Sequence, residues 1–307
     1  MECLQTTERT PVDTDAAIIL ASARGARLAA TRAPGRFGPV VLAHGFGQTR
    51  ESWIGTQAKL TAAGFGSLSF DMRGHGRSTW NRAGEDYSAE DFVADQRTAA
   101  IAAGHQPILV GASMGGLTAL LAQARHQLYS ALVLVDVTPR WEAAGVERIQ
   151  GFMRAHPGGF ADAEHAAQAI ADYLPHRSTR KTPAQLATVL RNDGAGRLRW
   201  HWDPRLLEGF IANSASLQDT LEEATRALDV PVLLISGGRS DLVSDATVAH
   251  FLDLAPTARH VRLPEATHMV AGDDNDAFAD ALLEFLRAHS CLATPSPAAA
   301  PDPGVAR

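Results

Sequence analysis

The chain has 307 residues, 20% of them charged and 45% hydrophobic, an ordinary balance for a globular protein holding one large α/β domain with an insertion, or two domains. A formal net charge of -6 with no basic run excludes a nucleic-acid surface, and no apolar run approaches the ~20 residues of a membrane span. The start, Met1 to Arg9, lacks the basic and apolar regions of an export signal, and Cys3 and Cys291 have neither metal nor redox spacing, so a cytoplasmic location is expected.

In chain order, residues 1–14 read as a leader. Ala16 to Ala23 and Ala26 to Thr31 flank Arg24-Gly25 as an antiparallel hairpin at a sheet edge. Pro39 to Ala43 is a short buried strand running into His44-Gly45-Phe46-Gly47. A helix is predicted over Trp53 to Ala63, stopped by Gly64. A strand follows over Gly66 to Phe70, closed by Asp71-Met72-Arg73-Gly74-His75-Gly76-Arg77-Ser78. Ser88, with Glu90 and Asp91 behind it, caps a helix that ends near Gly104. Pro107 to Val110 and Ala131 to Val135 are buried strands, and Leu117, Leu120, Leu121, Ala124 and Leu128 lie at helical spacing between them.

The next comparable strand, Pro231 to Ile235, comes roughly a hundred residues later. Connections of that length carry structure of their own. Residues 140–220, rich in aromatic side chains, are therefore predicted to form a helical lid over the strand ends. A helix from about Ser244 to Leu254, a strand over Ala258 to Leu263 and a final helix displaying Phe278, Leu282, Phe285 and Leu286 complete the core. The expected division is a core of 15–139 and 221–290, a lid of 140–220 and a disordered Pro/Ala-rich tail of 291–307. Continuously apolar strands alternating with helices make a mostly parallel sheet covered on both faces, with ligands beyond the carboxyl ends of the strands.

The stretch Gly111-Ala112-Ser113-Met114-Gly115 lies between a buried strand and an amphipathic helix. In that setting G-x-S-x-G describes a turn too tight for a side chain at 111 or 115, which lifts the serine hydroxyl over the sheet edge. A serine attacks only if a base removes its proton, and that base is a histidine oriented by a carboxylate. His268, just after the last strand, fits best among the histidines. Asp241, in the loop after the preceding strand, is the expected orienting acid, with Asp136 as its rival. Attack on a carbonyl creates an oxyanion that needs N–H donors. These are expected from the backbone of Met114 and Phe46, with His44 bracing the Phe46 loop. Phe46, Trp141, Phe152 and Trp202 are candidate pocket residues. The loop over 71–78 lacks both G-x-G-x-x-G and the P-loop ending, and Asp71 and Arg73 are expected to pair and fix its turn.

These motifs, His44-Gly45-Phe46-Gly47, Asp71 to Ser78 and Gly111 to Gly115, together with the Asp241 and His268 loops, resemble the α/β-hydrolase fold family. The resemblance implies Ser113, Asp241 and His268 as triad, with Phe46 and Met114 as oxyanion donors and neither cofactor nor metal. The subgroup it resembles holds esterases, cofactor-free haloperoxidase- or perhydrolase-like enzymes and epoxide-hydrolase-like sequences. Epoxide opening is excluded by chemistry, because a serine would form a stable ether where those enzymes form an ester on aspartate.

The expected function is therefore hydrolysis of a small to medium, largely apolar carboxylic ester or lactone. The partner is a small-molecule substrate, and homo-oligomerisation is left open. Hydrolysis of a C–C bond or perhydrolysis by the same triad is the alternative, and a non-catalytic ligand receptor on the same fold is a third reading. The base must be neutral to accept a proton, so activity should fall below roughly pH 6–7, where an imidazole becomes protonated. A rate profile that stays flat through that range would count against His268.

Overall fold

The computed structural model describes residues 16–173, 182–212, 214–270 and 275–289. The expected leader, 1–14, and tail, 291–307, lie outside the described residues. Eight strands form the main sheet: β1 (Ala16–Ala21), β2 (Arg27–Ala33), β3 (Phe37–Ala43), β4 (Phe65–Phe70), β5 (Ile108–Ala112), β6 (Ala131–Val135), β9 (Val232–Gly237) and β10 (Arg259–Leu263). Their order is β1-β2-β4-β3-β5-β6-β9-β10. β1 pairs antiparallel with β2, and β2 antiparallel with β4, while every later pairing is parallel. This is the α/β-hydrolase sheet that the sequence predicts.

Strands buried on both faces must be apolar at every position. Val41, Leu109, Leu132, Leu134, Val232 and Leu234 point into one core. On that face lie α2 (Ala89–Ala103), α3 (Met114–His126), α8 (Ser214–Arg226) and α9 (Asp245–Leu254). Their alternating neighbours Val40, Leu42, Val110, Val133 and Ile235 point into a second core, closed by α1 (Ile54–Ala62) and α10 (Asn275–His289). The helix predicted from Trp53 is led in by a 3-10 turn over Arg50–Trp53, with Thr49 accepting from the Glu51 N–H. Ser88 caps α2 in a reciprocal capping box with Asp91.

Between β6 and β9 come α4 (Ala143–Arg154), α5 (Ala163–Tyr173), α6 (Pro183–Ala187), the hairpin β7–β8 (Leu190–Asn192 and Leu198–Trp200) and α7 (Arg205–Ala212). This segment has a core of its own, built on Phe160, Ala166, Ile170, Leu186 and Leu190. The expected lid boundary at 220 falls inside α8, whose Leu221 is fully buried in the main core.

The loop over 71–78 is held differently from the expected Asp71–Arg73 pair. Asp71 instead accepts from the Arg50 backbone N–H at 2.7 Å and from its guanidinium at 2.5 Å. Arg73 reaches the other way, to Asp91 and Asp95 of α2, both at 2.6 Å. Successive positions on this loop thus serve opposite neighbours, a division that adjacency in sequence conceals. Arg73 and both its carboxylates are buried, and removing one partner strands the others without solvent. Arg73→Met is expected to cost about 3–5 kcal/mol of stability in urea unfolding. A loss below about 1 kcal/mol would mean that Arg24, which also contacts Asp91, suffices.

Candidate active site

The parallel register brings the ends of β3, β5, β6 and β9 level, with Ala43 beside Gly111, Ala112 beside Val135, and Val135 beside Ile235. The residue after β5 is Ser113 and the residue after β6 is Asp136. Ser113 donates its N–H to Val135 O at 3.1 Å, and Asp136 donates to Ile235 O at 2.8 Å. Both have positive φ, 47° and 51°, a conformation costly for a residue with a side chain.

The serine turn is as tight as its small neighbours imply. A Cβ on Gly115 would lie 2.4 Å from Ala43 O, and one on Gly111 would lie 2.7 Å from Gly116 N. The Ser113 carbonyl accepts from Gly116 and Leu117 and so starts α3 directly. Met114 is the first residue of that helix, where N–H groups lack intrahelical acceptors.

His44 braces the neighbouring loop as expected. Its Nδ1 donates to Gly45 O at 2.8 Å, and its Nε2 accepts from Met72 N–H at 3.0 Å. Gly45 N–H donates to Gln48 Oε1 and Gly47 N–H to His75 Nε2. The Phe46 N–H between them has no hydrogen-bond partner among the described residues. A Cβ on Gly45 would lie 3.2 Å from Ser113 Cβ, so this loop stands against the serine.

The ring of His268 pairs with Asp136, Nδ1 to Oδ2 at 2.7 Å. Asp136 is fully buried, and its carboxylate also accepts from Gly237 N–H at 2.7 Å and from Ser240 Oγ at 2.5 Å. Asp241, the expected partner, is instead turned outward. Its side chain is 30% exposed and takes Arg148 of α4 at 2.6 Å. The physical reason is distance along the chain. Asp136 follows the strand next to the serine strand immediately, whereas Asp241 lies four residues past β9, where the loop backbone already packs on Gly145 of α4. That loop contributes Ser240 to the carboxylate, a residue the sequence reading passed over. The His268 loop also meets the Phe46 loop, because Gln48 Nε2 lies 3.4 Å from Met269 Sδ.

A cavity of about 70 Å³ opens on Ser113, with Phe46, Met114, Trp141, Ile149 and Leu242 among its walls. Phe152 and Trp202, expected in the pocket, are not on those walls. Phe152 stacks on Tyr173 with ring centroids 4.1 Å apart, inside the lid. Trp202 is buried behind Phe46, 5.0 Å from its ring. Phe152 is spent on the lid's packing and Trp202 on the main core behind Phe46, and packing can draw on aromatic side chains as readily as a substrate can.

A model of a family described as "Alpha/beta hydrolase family" matches residues 40–281. The chain belongs to that family. It is 30% identical over 263 residues to the sn-1-specific diacylglycerol lipase ABHD11 of Mus musculus, covering 80% of both chains. It is also 30% identical over 230 residues to the 2-(acetamidomethylene)succinate hydrolase of Mesorhizobium japonicum, covering 73% of this chain and 79% of that one. A crystal structure of E-2-(acetamidomethylene)succinate hydrolase superposes with a TM-score of 0.77 at 23% identity, over 89% of this chain and 99% of that one. Among the described residues no helix is long and apolar enough to cross a membrane, and no His/Cys/Asp/Glu group could hold a metal ion.

In this α/β hydrolase, three buried histidines back the Phe46 loop, with ring centroids 5.0 Å apart for His44 and His75 and 6.0 Å for His75 and His201. His201, from the lid, accepts from Gly76 N–H at 2.8 Å and lies 3.2 Å from Gly47 O. Burial lowers the pKa of all three and pulls that of His201 down to about 4. Near Asp71 and Arg50, the neutral ring is thus the native form. The unfolded chain takes up this proton below about 6.5 and the native chain only near 4. Stability from His201 is therefore complete above about pH 6.5 and drains away as pH falls towards 4. His201→Asn keeps an acceptor for Gly76 and cannot titrate, so it should flatten the fall of Tm between pH 6.5 and 4. An unchanged slope would show that the proton uptake lies elsewhere.

Proposed function

We propose that the protein is a serine hydrolase that cleaves a largely apolar carboxylic ester through an acyl-enzyme on Ser113, with His268 as base and Asp136, in place of Asp241, as orienting acid. The observation that carries this reading is the His268–Asp136 pair beside the strained serine turn. A carboxylate on Nδ1 keeps that nitrogen protonated and leaves Nε2 as the basic one. In the proposed cycle Nε2 takes the Ser113 proton as Oγ attacks the carbonyl carbon. The resulting oxyanion is held by the N–H groups of Phe46 and Met114. The imidazolium then protonates the departing alkoxide, and water repeats the sequence to release the acid.

The cavity walls favour an apolar substrate, since the polar residues among them are Ser113 and Gln150 alone. The curated relative named for a succinate acts on a dianion. Among the described residues no lysine or arginine lines this cavity, so that substrate is not carried over.

A fluorophosphonate probe should label the wild type and leave Ser113→Ala unlabelled, with burst release of an acyl-ester chromophore lost in the same variant. Asp136→Asn should lower kcat by about 10⁴-fold by disfavouring the productive tautomer, while Asp241→Asn stays within a few-fold of wild type. The reverse ranking of the two aspartates would return the orienting role to Asp241.

A further inference from the structure

A second cavity, of about 280 Å³, shares Phe46, Met114 and Leu117 with the chamber at Ser113 and runs away from it. Its floor is one face of α3, where Met114, Leu117, Thr118 and Leu121 follow at helical spacing. Seven residues of helix span about 10 Å, the length of an extended chain of about eight carbons. The far end lies by Glu90 of α2, which pairs with Arg125 at the other end of α3. Leu206 and Leu217 of the lid segment close it from above.

Among the described residues, every polar side chain on these walls is already engaged. Tyr87 donates to Asp203 at 2.8 Å and accepts from Asn81 N–H at 3.0 Å. Thr118 Oγ1 donates to Gly115 O and accepts from Gln96. Ser88 is committed to the α2 cap, and Glu90 faces solvent with Arg125. Nothing is left to bind a polar ligand, so the cavity selects by shape and apolarity.

The two cavities also lie on different sides of the serine. The chamber at Ser113 is lined by Val137, Leu242 and Val243, from the loops after β6 and β9 that carry Asp136 and Ser240. The α2–α3 cavity lies on the other side. A leaving group must sit where His268 can protonate it, which is the Asp136 side. Resting on the hydrolase reading above, we infer that the α2–α3 cavity is the acyl site. The substrate class is then a medium-chain, unbranched fatty acyl ester of a small alcohol, with the acyl chain along α3 and the alcohol in the smaller chamber.

The test uses ethyl esters from acetate to octanoate. With the wild type, kcat/KM should rise about threefold to fourfold per added methylene up to octanoate. Leu121→Trp and, from the lid side, the half-buried Leu217→Trp should each lower the octanoate-to-acetate ratio at least tenfold. A wild-type ratio near one, or a ratio unchanged in both folded variants, overturns the assignment. Octanoic acid should also raise the Tm of Ser113→Ala, and Leu121→Trp added to it should abolish that rise. If no ester is turned over the hydrolase reading falls, and this binding measurement then decides the acyl cavity alone: a rise in Tm upholds it and none overturns it.

Discussion

A carboxylate with no access to water, that of Asp136, lies directly past the end of β6. Asp136 would be an expensive residue to bury alone, and it is tolerated because Gly237 N–H, Ser240 Oγ and the His268 ring all point at it. Those three donors come from the last residue of β9 and the loops after β9 and β10, so one side chain gathers the ends of three neighbouring strands. Ser113 is tied to the same place through its N–H on Val135 O. The relative placement of Ser113, Asp136 and the His268 loop thus follows from strand register together with a single desolvated charge.

Most of the sheet was legible in the sequence because burial on both faces leaves a strong signal, runs of apolar residues bounded by glycine, proline and polar turns. The serine turn was legible for a related reason, since only small residues at 111 and 115 can pass the backbone of residues 43–44 and 116. His268 could be chosen by its place after the last strand. The aspartate that pairs with it could not, because the chain order serine, aspartate, histidine is satisfied by Asp136 and Asp241 alike. What separates them is how far each lies from a strand end, and which neighbour claims its carboxylate. Arg148, eight residues past the start of the predicted lid in a region read only by composition, claims Asp241.

The same limit explains the lid. Its aromatic residues announced a packed insertion, yet composition does not say whether a ring faces a ligand or another ring. Phe152 and Trp202 went to the insertion's own interior and to the back of Phe46, while Trp141, at the start of the segment, reached the chamber. The polar loop over 71–78 behaves alike. Its charges were correctly read as structural, but their partners lie on α2 and on the turn before α1, elements distant in sequence.

The levelled strand ends have a consequence for how such a chain can vary. Adding or deleting residues within the excursion between β6 and β9 changes what covers the chamber and leaves the distances among Ser113, Asp136 and the His268 loop to the sheet. One residue gained or lost inside β5 or β6 would instead turn every following side chain to the opposite face and pull Ser113 and Asp136 out of step. Length is therefore free to drift over the roof and is rationed in the floor, so the cover of this chain can change while Ser113 and Asp136 keep their places.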